Sequence, residues 1–555
     1  MSVAKQRLSP SHLRRINIYQ HSLMIWFRFI LFLLAIKAVA RSTSLPAVEC
    51  SPLRVQPPSF SDVEVLSYMV FPVYDHEIDA IEVNPIKHRR VSVTFCNFSL
   101  TYTHPGWDDV INMQVWLPLS DWNKRLQGIG GVGWAGTRGD SATALAVSEG
   151  YVAVSSDLGH DATKPSARDW ALDETSRHVN LARLLDFSYV GLLDMSRLAK
   201  DVAQQLYGEV PKHSYWNGCG AGGRQGMMLA QRFPEAFDGI VVGSPTLSWA
   251  HFMPTGYWPT FVMKMLNTYP SSCVMDAIAA EAVKACDDRD GVVEGIITQP
   301  ERCDFNPLSL VGKNADCGDG VNVEITLDVA ILVEKIWQGM RSQDGKPLWY
   351  GFSRGSLWHA TRCSSMGEVH HHTCTPAPST LVLDWLELFV AQNPDLELPH
   401  LKLTYPEFEA LFHLSIAAYQ SIISADSPDL ADFKSRGGKI IHWHGLNDGE
   451  VPPGGSAAYY VTVKNRDPSV MDFYRYFEAP GVGHCGSGPG AAPIGVMGAL
   501  TIWVETGIAP DILPAVSEDG SLTRILCPFP SVVTYLEGDA EKPEAFGCRE
   551  SPLWR

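Results

Sequence analysis

Residues 214–245 read SYWNGCGAGGRQGMMLAQRFPEAFDGIVVGSP. The aromatic run Tyr215-Trp216-Asn217 predicts a short strand. Gly218-Cys219-Gly220-Ala221-Gly222 predicts a sharp turn. Met227, Met228, Ala230 and Phe233 then fall at helical spacing, and residues 239–243 predict a second apolar strand. Strand, glycine-rich turn and helix are the setting of a nucleophile elbow. There a strained turn presents one side chain, and small residues flank it because backbones pass close by. The residue at the centre of this elbow is Gly220, where a serine is expected.

Composition bounds the rest. The chain has 555 residues, is 45% hydrophobic and carries a net charge of -17. That charge, with no long basic stripe, argues against a nucleic-acid partner. Lys5, Arg7, Arg14 and Arg15 precede an apolar run at 24–40, which Arg28 and Lys37 interrupt and Ala38-Val39-Ala40 closes. This predicts a signal peptide over residues 1–40, removed after Ala40, and a secreted protein. The rival is an uncleaved signal anchor. No later run is apolar enough to span a bilayer. Twelve cysteines behind such a segment imply disulfides, and without CxxC pairs zinc is not expected. Asn97-Phe98-Ser99 is an N-glycosylation sequon.

Outward from the elbow, strands alternate with helices. Residues 91–95 alternate as a strand does, and 110–117 and 151–155 are further strands. The loop 126–136 (LQGIGGVGWAG) is rich in glycine and can donate backbone N–H groups to an oxyanion hole. Residues 187–206 predict a helix. Strand 439–444, strand 473–477 and helix 494–505 resume the pattern, with Gly507 as helix stop. Between them Trp, Met, Pro, Cys and Gly become dense and irregular. The reading is an α/β fold with a mostly parallel sheet flanked by helices. Residues 41–247 and 425–555 form the catalytic domain, and 248–424 an inserted lid.

Order along the chain carries the functional reading. The elbow comes first, Asp448 follows a late strand, and His484 comes last in a glycine-rich loop. α/β-Hydrolases deliver nucleophile, acid and base in that order. Singly, an Asp before Gly is a turn residue and a loop His is exposed; jointly they form an acid–base pair. Cys219 adjoins the elbow centre and Cys485 adjoins His484, so a bridge between them would pin the base beside the elbow.

At GCGAGGRQG, HGLNDGEVPP and PGVGHC the chain resembles the tannase and fungal feruloyl esterase family. AQRFPEAFDGIVVGSP, SSDLGH, WVETGIAPD and LCPFP extend the likeness over nearly the whole chain after the signal. The resemblance implies an α/β-hydrolase fold with a lid and carboxylic ester hydrolysis. It places Asp448, His484 and position 220 in the catalytic set, with Gly130, Gly131 and Ala221 at the oxyanion hole. It implies a structural calcium in the lid at 286–296 (CDDRDGVVEGI). The expected ligands there are Asp287, Asp290, Glu294 and the carbonyls of Val292 and Ile296, with Glu294 where the family has aspartate. It also pairs Cys219 with Cys485, Cys286 with Cys303, Cys50 with Cys96, and Cys527 with Cys548. The pairing of Cys273, Cys317, Cys363 and Cys374 is left open.

The family often places a histidine after its DF-x-Y segment; here Asp186-Phe187-Ser188-Tyr189 leads to Leu192-Leu193, which predicts a remodelled pocket. His370-His371-His372 predicts a lid loop rather than a metal site. Trp349, Tyr350 and Trp358 are candidates to line a cleft for a phenolic acyl group.

Three functions remain open. The first is a divergent enzyme using His484 as general base on a small aromatic (phenolic or polyketide-type) ester or lactone, or steering a cyclisation or isomerisation. The second is an ordinary feruloyl or tannin esterase with an unrecognised nucleophile. The third is a non-catalytic binder of aromatic ligands. Oligomeric state is not readable.

Overall fold

The elbow segment folds as a strand, His213–Cys219, running directly into a helix, Ala221–Arg232. The structure, a computed structural model, describes residues 49–551 apart from 162, 319, 357–360 and 366–371. The signal segment, Trp358, His370 and His371 lie outside the described residues.

Nine strands make the central sheet: β1 (Glu64–Val83), β2 (Ile86–Thr103), β3 (Ile111–Pro118), β4 (Arg125–Ile129), β5 (Val152–Ser156), β6 (His213–Cys219), β7 (Gly239–Gly243), β8 (Lys439–Gly445) and β9 (Tyr474–Ala479). Their spatial order is β1-β2-β3-β5-β4-β6-β7-β8-β9. From β5 through β4 to β9 every pairing is parallel. The β1–β2, β2–β3 and β3–β5 pairings are antiparallel. The sheet is therefore mixed, with a parallel half that holds the elbow. Only Asn84-Pro85 separates β1 from β2, and so tight a link permits nothing but a hairpin.

Helices α1 (Asp140–Ser148), α2 (Leu181–Ser188), α3 (Val190–Tyr207) and α4 (Ala221–Arg232) flank the sheet, as does α6 (Val496–Thr506) later in the chain; α5 (Tyr405–Ile423) lies in the insertion. The stretch read as one helix over 187–206 breaks at Tyr189, whose φ is -163°. Period-two alternation on β6 directs packing. Tyr215 faces α6, where its hydroxyl donates to Glu505 at 2.8 Å. Trp216 faces α4, and a Cβ on Gly226 would come within 2.6 Å of its ring. β5 and β7 are buried along their whole length, as expected of parallel strands covered on both faces.

β7 and β8 are hydrogen-bonded neighbours, with Gly239 opposite Lys439. Everything between them is an excursion from the sheet, and its base is closed by Ala425 N donating to Leu247 O at 2.8 Å. The excursion docks through aromatic rings: Trp134, from the glycine loop after β4, lies 5.3 Å from both Trp249 and Phe389. Residues from Cys50 onward form one compact body.

The four bridges implied by the resemblance are present, Cys50–Cys96, Cys219–Cys485, Cys286–Cys303 and Cys527–Cys548. The remaining cysteines pair as Cys273–Cys317 and Cys363–Cys374. Among the described residues no helix is long and apolar enough to cross a membrane.

Candidate active site

Gly220 sits at the strand-to-helix turn with φ 63° and ψ -119°, a backbone shape that side chains adopt only under strain. Its N–H donates to Gly243 O at 2.9 Å, and its carbonyl accepts from Arg224 N at 3.1 Å. The neighbouring glycines are demanded by close backbone approach: a Cβ on Gly222 would meet Gly131 O at 2.8 Å, and one on Gly218 would meet Gly222 O at 2.2 Å.

A Cβ on Gly220 itself would stand 3.0 Å from Nε2 of His484. His484 Nδ1 is 2.8 Å from Oδ2 of Asp448. Asp448 is fully buried; its Oδ1 accepts from the N–H groups of Glu450 and Val451, both at 2.8 Å. The structure thus brings positions 220, 448 and 484 together, with the Cys219–Cys485 bridge joining the two loops.

Burial alone would raise the Asp448 pKa, but the charges and hydrogen bonds of His484 and His444 hold its carboxyl well below the usual range. For His484, burial pushes down, yet the Asp448 carboxylate and its hydrogen bond outweigh this and the imidazole is raised. Glu450 adds to the rise and Arg138 opposes it. Among the described residues no hydroxyl hydrogen-bonds Nε2. Glu450 Oε2 lies 3.9 Å from that nitrogen and is largely exposed.

Two of the three expected oxyanion donors are committed elsewhere. Gly130 N–H donates to Asn217 O at 3.0 Å, completing the β4–β6 ladder. Gly131 N–H donates to the side-chain Oε1 of Gln225 at 2.9 Å. Ala221 N–H remains, the first donor of α4 and so without an intrahelical acceptor. The glycines here serve packing: their missing side chains let the β4 loop lie on the elbow. Asn97 also needs correction. It lies on β2, is 8% exposed, and its Nδ2 donates to Ser99 Oγ at 3.0 Å; a glycan acceptor must be accessible, and this amide faces the interior.

Several residues at the site were given no role from the sequence, although His444 and Arg224 stand in the motifs HGLNDGEVPP and GCGAGGRQG. His444 Nε2 lies 3.2 Å from Asp448 Oδ2, so the acid is held between two imidazoles. Asn84, at the tip of the β1–β2 hairpin, reaches the elbow strand, donating to Asn217 Oδ1 at 2.6 Å and Gly218 O at 3.2 Å while accepting from Trp443 Nε1. Arg138 has a buried Nε with no hydrogen bond. Arg224, fully buried, donates to the carbonyls of Phe187, Ser188 and Ile423, tying α4 to α2 and α5. These contacts join segments far apart in sequence, which periodicity cannot reveal.

Trp349 and Tyr350 line an open cleft of about 970 Å³ together with His251, Trp337 and Leu446. Trp349 stacks on His251 with centroids 5.0 Å apart. Neither Gly220 nor His484 is in that lining.

In the acidic loop, Asp287 accepts from Glu294 N and Gly295 N, and Asp290 accepts from Val292 N and Thr298 Oγ1. Glu294 lies 3.5 Å from Arg524, while its Oε2 is buried without a partner. Burial and the neighbouring Asp290 push its pKa up to about 7. Carboxylate oxygens suit a hard cation in kind, but those of Asp287, Asp290 and Glu294 do not converge within 4.8 Å of one another.

An α/β-hydrolase sheet with an acid–base pair at a strained elbow defines a carboxylic ester hydrolase class. Residues 96–549 match the family of tannase and feruloyl esterase. A probable feruloyl esterase of Arthroderma benhamiae is 36% identical over 506 residues, covering 89% of this chain and 92% of that protein. A tannase of Aspergillus oryzae is 25% identical, with 81% and 86% covered. The solved tannin acyl hydrolase from Aspergillus niger superposes with a TM-score of 0.81 at 23% identity, over 91% of this chain and 96% of that one. The chain belongs to the tannase and feruloyl esterase family.

Proposed function

We propose that this protein is a secreted, divergent esterase in which His484, oriented by Asp448, acts as general base at an elbow that has lost its nucleophile. What carries the reading is the 3.0 Å between the Cβ position of Gly220 and His484 Nε2: the base still addresses the place where a hydroxyl would stand. With that place empty, Nε2 takes a proton from a water molecule, which attacks the acyl carbon directly. The tetrahedral adduct then breaks its acyl C–O bond and the imidazolium gives the proton to the leaving alkoxide. In a cyclisation or isomerisation Nε2 takes the proton from the substrate itself. Asp448 holds the tautomer and balances the imidazolium. Ala221 N–H supports the developing oxyanion. The substrate class is a small phenolic or polyketide-type aromatic ester or lactone; the names of its relatives, feruloyl esterase and tannase, support the phenolic ester. Asp287, Asp290, Glu294 and the carbonyls of Val292 and Ile296 hold a structural calcium.

An active-site fluorophosphonate followed by intact-mass measurement tests the reading. The expected result is no covalent adduct on a protein that turns over an activated aryl ester or lactone. A stoichiometric adduct would reveal a nucleophile and favour an ordinary esterase; absence of any turnover across a broad panel would favour a binder.

A further inference from the structure

A second cluster of chemistry-bearing side chains lies where the segment after β2 meets α2 and α3. His104 and Asp109 come from that segment, Asp186 from α2 and Asp194 from α3. Among the described residues, His104, Asp109 and Asp186 are the one set of three or more His, Cys, Asp or Glu whose ligand atoms all lie within 4.8 Å of one another. All three are buried.

Asp186 gives the cluster its direction. Its side chain is 0% exposed, and neither of its carboxylate oxygens accepts a hydrogen bond. It faces Asp109, and its Oδ1 is 3.6 Å from His104 Nδ1. A carboxylate sealed from water without a donor is expensive and calls for a compensating positive centre. The nearby arginine does not supply it: Arg197 is spent on Asp194, with Nε 2.9 Å from Oδ1.

The far side of the imidazole is already fixed. His104 Nε2 lies 3.1 Å from Asp194 Oδ2, and that oxygen also accepts from the Tyr102 hydroxyl at 3.0 Å. A histidine tied through one nitrogen to an anchored carboxylate presents the other nitrogen as a ligand, the arrangement that orients metal-binding imidazoles.

We propose that His104 Nδ1, Asp109 and Asp186 bind one divalent transition cation of the zinc or manganese type. One imidazole nitrogen with carboxylate oxygens suits such borderline ions, whereas calcium takes oxygen ligands alone. His104 Nδ1 lies 2.5 Å from Asp109 Oδ2, so a cation bound there takes the place of the proton between them. The site braces the fold behind the elbow. Asp186 is followed by Phe187 and Ser188, whose carbonyls hold Arg224 of α4.

The full chain, equilibrated with ZnCl2 or MnCl2 and then dialysed against metal-free buffer, is assayed by plasma mass spectrometry. One tightly held equivalent is expected in the wild type and in Glu294→Gln, and its loss in Asp186→Asn. Equal retention by Asp186→Asn, or no retention by the wild type, would overturn the proposal, the second meaning that the cluster holds a proton instead. Should Asp186→Asn fail to fold, wild-type crystals grown with ZnCl2 decide by anomalous scattering. A peak among His104, Asp109 and Asp186 is expected; no peak there overturns it.

Discussion

A Cβ placed on Gly220 would lie 3.0 Å from Nε2 of His484, with no other atom of the described residues beyond its chain neighbours within 3.4 Å. A Cβ at that distance is a tight contact, so the imidazole must give by a few tenths of an ångström to admit a serine. Gly220→Ser should acquire fluorophosphonate labelling and raise aryl-ester hydrolysis by on the order of 10³-fold, a fraction of what such a serine contributes elsewhere. The backbone at φ 63° makes the substitution cost about 1–3 kcal/mol of stability. Labelling kinetics and thermal denaturation check both; a folded, unlabelled variant would show that the pocket has changed as well.

Two charged neighbours act on His484 in opposite senses. Glu450 raises its pKa and Arg138 lowers it. A general base must be neutral, so activity should rise with pH through a midpoint above the ordinary histidine value of about 6.5. Glu450→Gln should move that midpoint down and Arg138→Met should move it up. The pH–rate profile of each variant is the measurement. Shifts of the same sign would show that another group governs the profile.

The Cys219–Cys485 bridge joins residues 266 positions apart and carries the base to the elbow. Replacing both by alanine should cost about 2–5 kcal/mol, read by denaturant unfolding. It should also reduce turnover more than substrate affinity, because Cys485 positions His484. A kcat unchanged under conditions where the variant remains folded would separate the bridge from the chemistry.

Calcium at the acidic loop should raise the melting temperature with the logarithm of its concentration above Kd. Glu294→Gln keeps the shape but removes a charged ligand, and should weaken that response. A wild type indifferent to both calcium and chelator would mean that the Arg524–Glu294 pair, 3.5 Å apart, supplies the charge balance alone.

Much of this was legible in the sequence because the signals were local. Strand β7 spans Gly239–Gly243 as its apolar run predicted, and Gly507 ends α6 in the left-handed region as a glycine stop should. The order of elbow, Asp448 and His484 was readable because each follows its own strand, and the fold brings the three positions together. What escaped was set by contacts between distant segments. The β4 glycines looked like oxyanion donors, yet Gln225 and Asn217 claim their N–H groups. The hairpin tip at Asn84 braces the elbow from 133 residues away. Asn97 fits a sequon, but its strand runs through the interior of the sheet between β1 and β3.

The central claim is that the imidazole at position 484 still does chemistry over an elbow without a nucleophile. Steady-state turnover of a panel of phenolic esters and lactones by wild type and His484→Ala tests it most directly. Measurable wild-type turnover of at least one substrate is expected, with a fall of about 10²-fold or more in the variant, both proteins folding alike. Equal turnover by the two would contradict it.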